Sequence, residues 1–167
     1  MAERRVELLV RQFLRSSEGM GGSSSAICSS GPEPEMEWVS VAEDSVVTSA
    51  GVRMPRMIYG TAWKENRIGD GATARLVAQA IAVGFTGIDT ACQPKHYHEP
   101  GVGDGLRQAF AAGVARDSLF IQTKFSRNQD AATIPYTADA PIATQVEESV
   151  AISLRNLGVD YVDSLVL

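Results

Sequence analysis

The sequence predicts an α/β fold with a parallel sheet, on two observations. Short apolar segments alternate with helical segments at intervals of about 30–40 residues, the spacing that crossover connections between parallel strands require. The charged and polar residues that interrupt the apolar pattern fall where strands end, and barrel enzymes carry their reactive groups at the C-terminal ends of several strands. A sheet of four strands and three helices would suit a small flavodoxin-like fold, whereas a (β/α)₈ barrel takes about 250 residues. The strand-end placement favours the barrel, of which 167 residues hold about half.

The elements follow in order. Val46-Val47-Thr48, the small-residue turn Ser49-Ala50-Gly51 and Val52 to Pro55 form a hairpin. Met57 to Thr61 is the first barrel strand. Ala72 to Val83 is a helix with Leu76, Val77, Ala80 and Ile81 on one face, ending at Gly84. Phe85 to Ala91 is the second strand. The next helix places Val102, Leu106, Ala109 and Phe110 together and stops at Gly113. Leu119 to Lys124 is the third strand, and a polar loop with Pro135 and Pro141 leads to Thr144. Thr144 and Glu147 have capping-box spacing at the head of a helix through Val146, Val150, Leu154 and Leu157 to Gly158. Tyr161 to Leu167 is the fourth strand.

Residues 1–37 read as a flexible extension and 38–167 as the α/β region. Val6, Leu9, Val10, Phe13 and Leu14 have helical spacing among four arginines, and Gly21 to Ser25 is linker-like. An organelle transit peptide is the alternative, opposed by Glu3, Glu7 and Glu18, and the expected location is the cytoplasm. Trp38 and the acids from Glu33 to Glu37 read as solvated linker and hairpin cover.

Composition excludes several classes. Hydrophobic residues make up 44% and charged residues 21%, the range of an ordinary globular protein. The net charge is −5, with no basic run to track a phosphate backbone, so nucleic acid is not an expected partner. No apolar run reaches the roughly 18 residues of a membrane span. Cys28 and Cys92 are too few for a disulfide framework or a zinc ligand set. Cys92 reads as a small buried residue after a strand rather than a reactive thiol.

Asp89 closes the second strand and Lys124 the third, and adjacent parallel strands lie about 4.8 Å apart, so the two side chains can pair. Tyr97 lies in the loop after Asp89. A tyrosine hydroxyl, ordinarily titrating near pH 10, is a poor acid at neutral pH, and a neighbouring ammonium stabilises its phenolate. Aspartate, lysine and tyrosine so placed make a general acid. An ordinary ion pair beside a loop tyrosine is the other reading of the same spacing. His96 and His98 form a His-x-His pair near the same strand end, the type of pair that some metal-dependent hydrolases use, with Asp89, Glu99 and Lys124 nearby. That loop is a poor platform for rigid ligands, so no metal is expected.

From Val46 to Leu167 the chain resembles the aldo-keto reductases. The resemblance is carried by Met57-Ile58-Tyr59-Gly60-Thr61-Ala62-Trp63 after Met54-Pro55, by Gly84 to Ala91, and by Tyr97-His98-Glu99 with Val102-Gly103. Leu119 to Lys124, Ser153 to Gly158 and Tyr161-Val162-Asp163 are similar to later family segments. It implies a (β/α)₈ barrel, here truncated to about its first four strands, that binds NADPH and reduces small-molecule aldehydes or ketones to alcohols. Tyr97 would be the general acid, Lys124 its ammonium partner and Asp89 the residue that orients the lysine. Trp63 and His98 would line the substrate mouth, and Gly60, Thr61 and Asp89 would lie near the nicotinamide ribose. Two departures accompany the match. Asp89 and Tyr97 are three residues further apart than in the family pattern, Pro94 standing at the usual offset, and the family histidine that follows the fourth strand would lie beyond Leu167. The expectations that follow are little or no turnover by the 167-residue chain alone, open strand edges that promote self-association, and, as the alternative, a non-enzymatic fragment that partners a full-length reductase.

Overall fold

The computed structural model describes residues 45–64, 71–127 and 134–167. The expectations for the N-terminal extension, Cys28 and Trp38 lie outside the described residues. The predicted hairpin is present: β1 (Ser45–Val47) pairs antiparallel with β2 (Arg53–Pro55), placing Val46 opposite Met54. Gly51, at φ 79°, makes the left-handed turn between them.

Four parallel strands follow, β3 (Tyr59–Gly60), β4 (Gly87–Asp89), β5 (Phe120–Lys124) and β6 (Ser164–Val166), and they neighbour one another in chain order. Sequential order is that of a barrel wall. A flavodoxin-like sheet instead places its second strand outside its first. The helices α1 (Ala72–Ala82), α2 (Glu99–Ala111) and α3 (Ile142–Leu157) occupy the connections, and α2 packs on both α1 and α3. None of the described helices is long and apolar enough to cross a membrane.

The core lies between the sheet and this helical layer. Ile88 of β4 and Ile121 of β5 are fully buried against Val77, Ile81, Val102, Leu106 and Leu157. Because side chains alternate along a strand, burying Ile88 and Ile121 toward the helices turns Asp89 and Gln122 to the opposite face of the sheet. Glycine permits the closest helix contact: a Cβ at Gly103 would collide with the Asn156 carbonyl oxygen of α3. At the other end of β5 and β6, Asp163 accepts hydrogen bonds from Arg116 at 2.7 Å and from the Ile121 amide at 2.8 Å.

Four expectations change. The strands are shorter than their apolar runs, although the ladder beside β4 continues past it, with Thr90 N donating to Gln122 O and Cys92 N to Lys124 O. Thr144 and Glu147 do not cap α3. The helix begins at Ile142 after Pro141, whose ψ of 146° is extended and whose carbonyl accepts from the Gln145 amide, so Thr144 is already inside the first turn. The buried face of α3 is also displaced by one position, to Gln145, Ser149, Ser153 and Leu157, leaving Val146, Val150 and Leu154 half-buried. On α1 the buried face comprises Thr73, Ala74, Val77, Ala80 and Ile81, with Leu76 half-buried.

Candidate active site

The register of the sheet sets up the site. Gly60, Asp89, Gln122 and Ser164 are successive partners across β3, β4, β5 and β6, and form one row. Lys124 stands two residues beyond Gln122 on the same strand, and therefore on the same face. Its Nζ donates to both carboxylate oxygens of Asp89, at 2.7 and 2.6 Å, and to the Thr90 carbonyl at 2.9 Å. Tyr97 completes the group: its hydroxyl is 3.5 Å from Nζ, which also lies 4.9 Å from the ring centroid.

Asp89 and Lys124, at adjacent strand ends, and Tyr97, in the loop after Asp89, are thus brought together. Pro94 and the residues around it are accommodated by a tight loop. The Gln93 carbonyl accepts from the amides of His96 and Tyr97, and the Gln93 side chain accepts a second bond from His96 N at 2.9 Å. The loop turns Tyr97 back over the strand ends despite its longer spacing from Asp89.

Thr61 is fully buried, and both its amide and its hydroxyl donate to the Asp89 carbonyl oxygen, at 3.0 and 2.9 Å. It fixes the backbone at Asp89, and its hydroxyl is committed to that bond. Gly60 heads the row with open space where a side chain would project. Trp63, 71% exposed and in the left-handed region at φ 56°, stands at the rim with its indole 4.2 Å from the imidazole of His96. The Trp63 amide donates to the His96 carbonyl at 2.8 Å.

His98 sits elsewhere. It precedes α2, and its imidazole lies over Gly101 facing Thr73 of α1. The structure therefore places His96, rather than His98, beside Trp63. The two histidines face different surroundings, and among the described residues no three His, Cys, Asp or Glu side chains gather as metal ligands. Glu99, one of the carboxylates offered for such a site, is engaged elsewhere. Only 3% exposed, it accepts hydrogen bonds from Thr123 at 2.8 Å, from Ser153 at 2.9 and 3.1 Å and from Asn156 at 3.4 Å. Burial pushes its carboxyl above the ordinary value, a shift opposed by these donors. Burial likewise raises the Cys92 thiol, which keeps it protonated and poorly nucleophilic, in keeping with a packing role.

Sequence reading missed two groups here. Gln122 donates to Asp89 Oδ1 at 2.7 Å and accepts from the Ser164 hydroxyl at 2.9 Å. Its spacing of two from Lys124 was the available signal. Glu99 was legible as a motif letter, but its role in joining α2, β5 and α3 was not.

The chain is 35% identical over 118 residues to the D-galacturonate reductase of Hypocrea jecorina, covering 70% of this chain and 32% of that protein. It is 34% identical over 122 residues to an aldo-keto reductase of Mycobacterium tuberculosis, covering 73% of this chain and 36% of the relative. Among solved structures it is similar to an aldo-keto reductase of Bombyx mori in complex with NADP, with TM-score 0.57 and 29% identity over 73% of this chain and 37% of that one. The chain spans about a third of the length of these relatives. Its sheet and helices correspond to part of their (β/α)₈ barrel. With residues 56–167 matching the model of the Aldo/keto reductase family, the chain belongs to that family.

Proposed function

We propose that these residues form the proton-donating side of an NADPH-dependent reduction of small-molecule aldehydes or ketones. The observation that carries this reading is the contact of Lys124 with both Asp89, at the adjacent strand end, and Tyr97, in the loop beyond it. Tyr97 donates its hydroxyl proton to the carbonyl oxygen as negative charge develops there. Lys124 stabilises the resulting phenolate, and Asp89 holds the ammonium in place. The 3.5 Å separation of Tyr97 and Lys124 suits a pair that tightens when the substrate oxygen arrives.

The chain's residues also fit the nicotinamide end of the cofactor that the Bombyx mori relatives bind. Gly60 leaves open space beside Asp89, where a side chain would obstruct a ribose. Thr61 contributes by holding the Asp89 backbone. NADPH, when bound, supplies the hydride. Trp63 and His96 form an aromatic wall at the rim and orient the carbonyl group.

The test is the rate of NADPH consumption with a simple aldehyde by the polypeptide that carries these residues in the cell. Tyr97→Phe lowers kcat by about 10²- to 10⁴-fold, the usual contribution of a positioned acid. Equal rates with and without the hydroxyl overturn the assignment. The 167-residue chain by itself shows little or no turnover, because its described strands form only part of the barrel wall. Robust turnover by that chain overturns this second statement alone.

A further inference from the structure

We propose that Gln122 is a positioning residue for the lysine–aspartate pair, acting as a strut between Ser164 and Asp89. This rests on the proposed role of that pair, while the geometry stands independently.

In register, Asp89, Gln122 and Ser164 lie on three neighbouring strands, with their side chains on one face. An ionised carboxylate only accepts hydrogen bonds, so the Gln122 amide nitrogen must face Asp89 and its oxygen must face Ser164. Ser164 Oγ then donates to Gln122 Oε1 at 2.9 Å, and Gln122 Nε2 donates to Asp89 Oδ1 at 2.7 Å. Each bond fixes the next, because the hydroxyl sets the amide plane and the amide sets the carboxylate plane.

The orientation of that plane matters because Lys124 uses both of its edges. Nζ lies 2.7 Å from Oδ1 and 2.6 Å from Oδ2, a bracket that exists only while the carboxylate stays turned toward it. Thr61 binds only the backbone carbonyl of Asp89, so among the described residues the side-chain oxygens are met by Gln122 and Lys124. Without Gln122 the carboxylate can turn about its last torsion, a broad and soft one. One half of the bracket then opens, and the ammonium that faces Tyr97 loses its fixed position. A hydrophobic side chain at 122 would lack this effect.

The test reads Lys124 directly. Chemical modification by an amine-acylating reagent is quantified at Lys124 by mass spectrometry, with the exposed Lys95 as internal reference. In Gln122→Met, modification of Lys124 relative to Lys95 accelerates by about threefold to tenfold, up to the factor expected from one hydrogen bond to a charged group. Ser164→Ala removes only the far end of the strut and gives a smaller acceleration in the same direction. It also serves as the informative variant if Gln122→Met fails to fold. Unchanged relative labelling in the folded variants overturns the proposal, whatever the activity assay shows. Accelerated labelling in the polypeptide that carries these residues in the cell, where that polypeptide reduces no carbonyl, supports the strut and instead removes the reductase reading.

Discussion

At the scale of single residues, two carboxylates ten positions apart in the sequence have opposite fates. Asp89 faces a lysine and stays at the half-exposed site, whereas Glu99 is buried among hydroxyls. Burial holds the Glu99 carboxyl above its ordinary value of 4.5. A carboxyl raised on folding binds its proton more tightly in the folded state. Its contribution is therefore fully present below the unfolded value and is lost as pH rises through the folded one. Glu99→Gln has no proton to lose, so its stability relative to the parent increases as pH climbs from about 4.5. Urea midpoints measured across that window check this, and parallel pH profiles for the two proteins would refute it. The pairing of Asp89 with Lys124 was legible in the sequence because strand ends are one-dimensional facts, and Tyr97 was singled out by the family motif that continues through Glu99 and Val102-Gly103. Gln122 and the His96–Trp63 pair were not, since they depend on register and on the path of the Gln93 turn.

At the scale of elements, the chain order of strands and helices was legible and the buried face of α3 was not. Val146, Val150 and Leu154 have helical periodicity, yet the side turned inward carries Gln145, Ser149 and Ser153. The reason lies in what α3 covers. Part of its footprint is the Glu99 carboxylate, which requires donors, and the Ser153 hydroxyl supplies one. Hydrophobic periodicity cannot report a polar buried stripe. The energetic weight of α3 should consequently sit at its C-terminal end. Leu157, 1% exposed in the core, costs about 2–5 kcal/mol when replaced by Ala. Val150→Ala, at a half-buried position, costs about 1 kcal/mol or less. Denaturant unfolding of the two variants distinguishes the displaced face from the face that periodicity suggests.

At the scale of the whole molecule, the described sheet has two free edges. Among the described residues β3 and β6 pair on one side only. Leu165, Val166 and Leu167 on and beside β6 are exposed. Unpaired strand edges flanked by apolar side chains template association. The 167-residue chain is expected to self-associate with rising concentration, visible by light scattering with sedimentation. A replacement of Val166 by Lys should shift it toward monomer, because edge lysines oppose pairing. A strictly monomeric parent chain at high concentration would contradict this.

The consecutive strand order also sets a sequence in time. Each strand pairs with the one made just before it, so a chain emerging from its N-terminus can add βα units one after another without waiting for distant segments. The cluster around Asp89 and Lys124 then assembles in stages. The Thr61–Asp89 contact forms when β4 docks, the lysine bracket when β5 docks, and the Ser164–Gln122 strut last, with β6. A nascent chain paused before β6 would hold its lysine and aspartate together without the hydroxyl that anchors them, and synthesis past Ser164 would lock the pair.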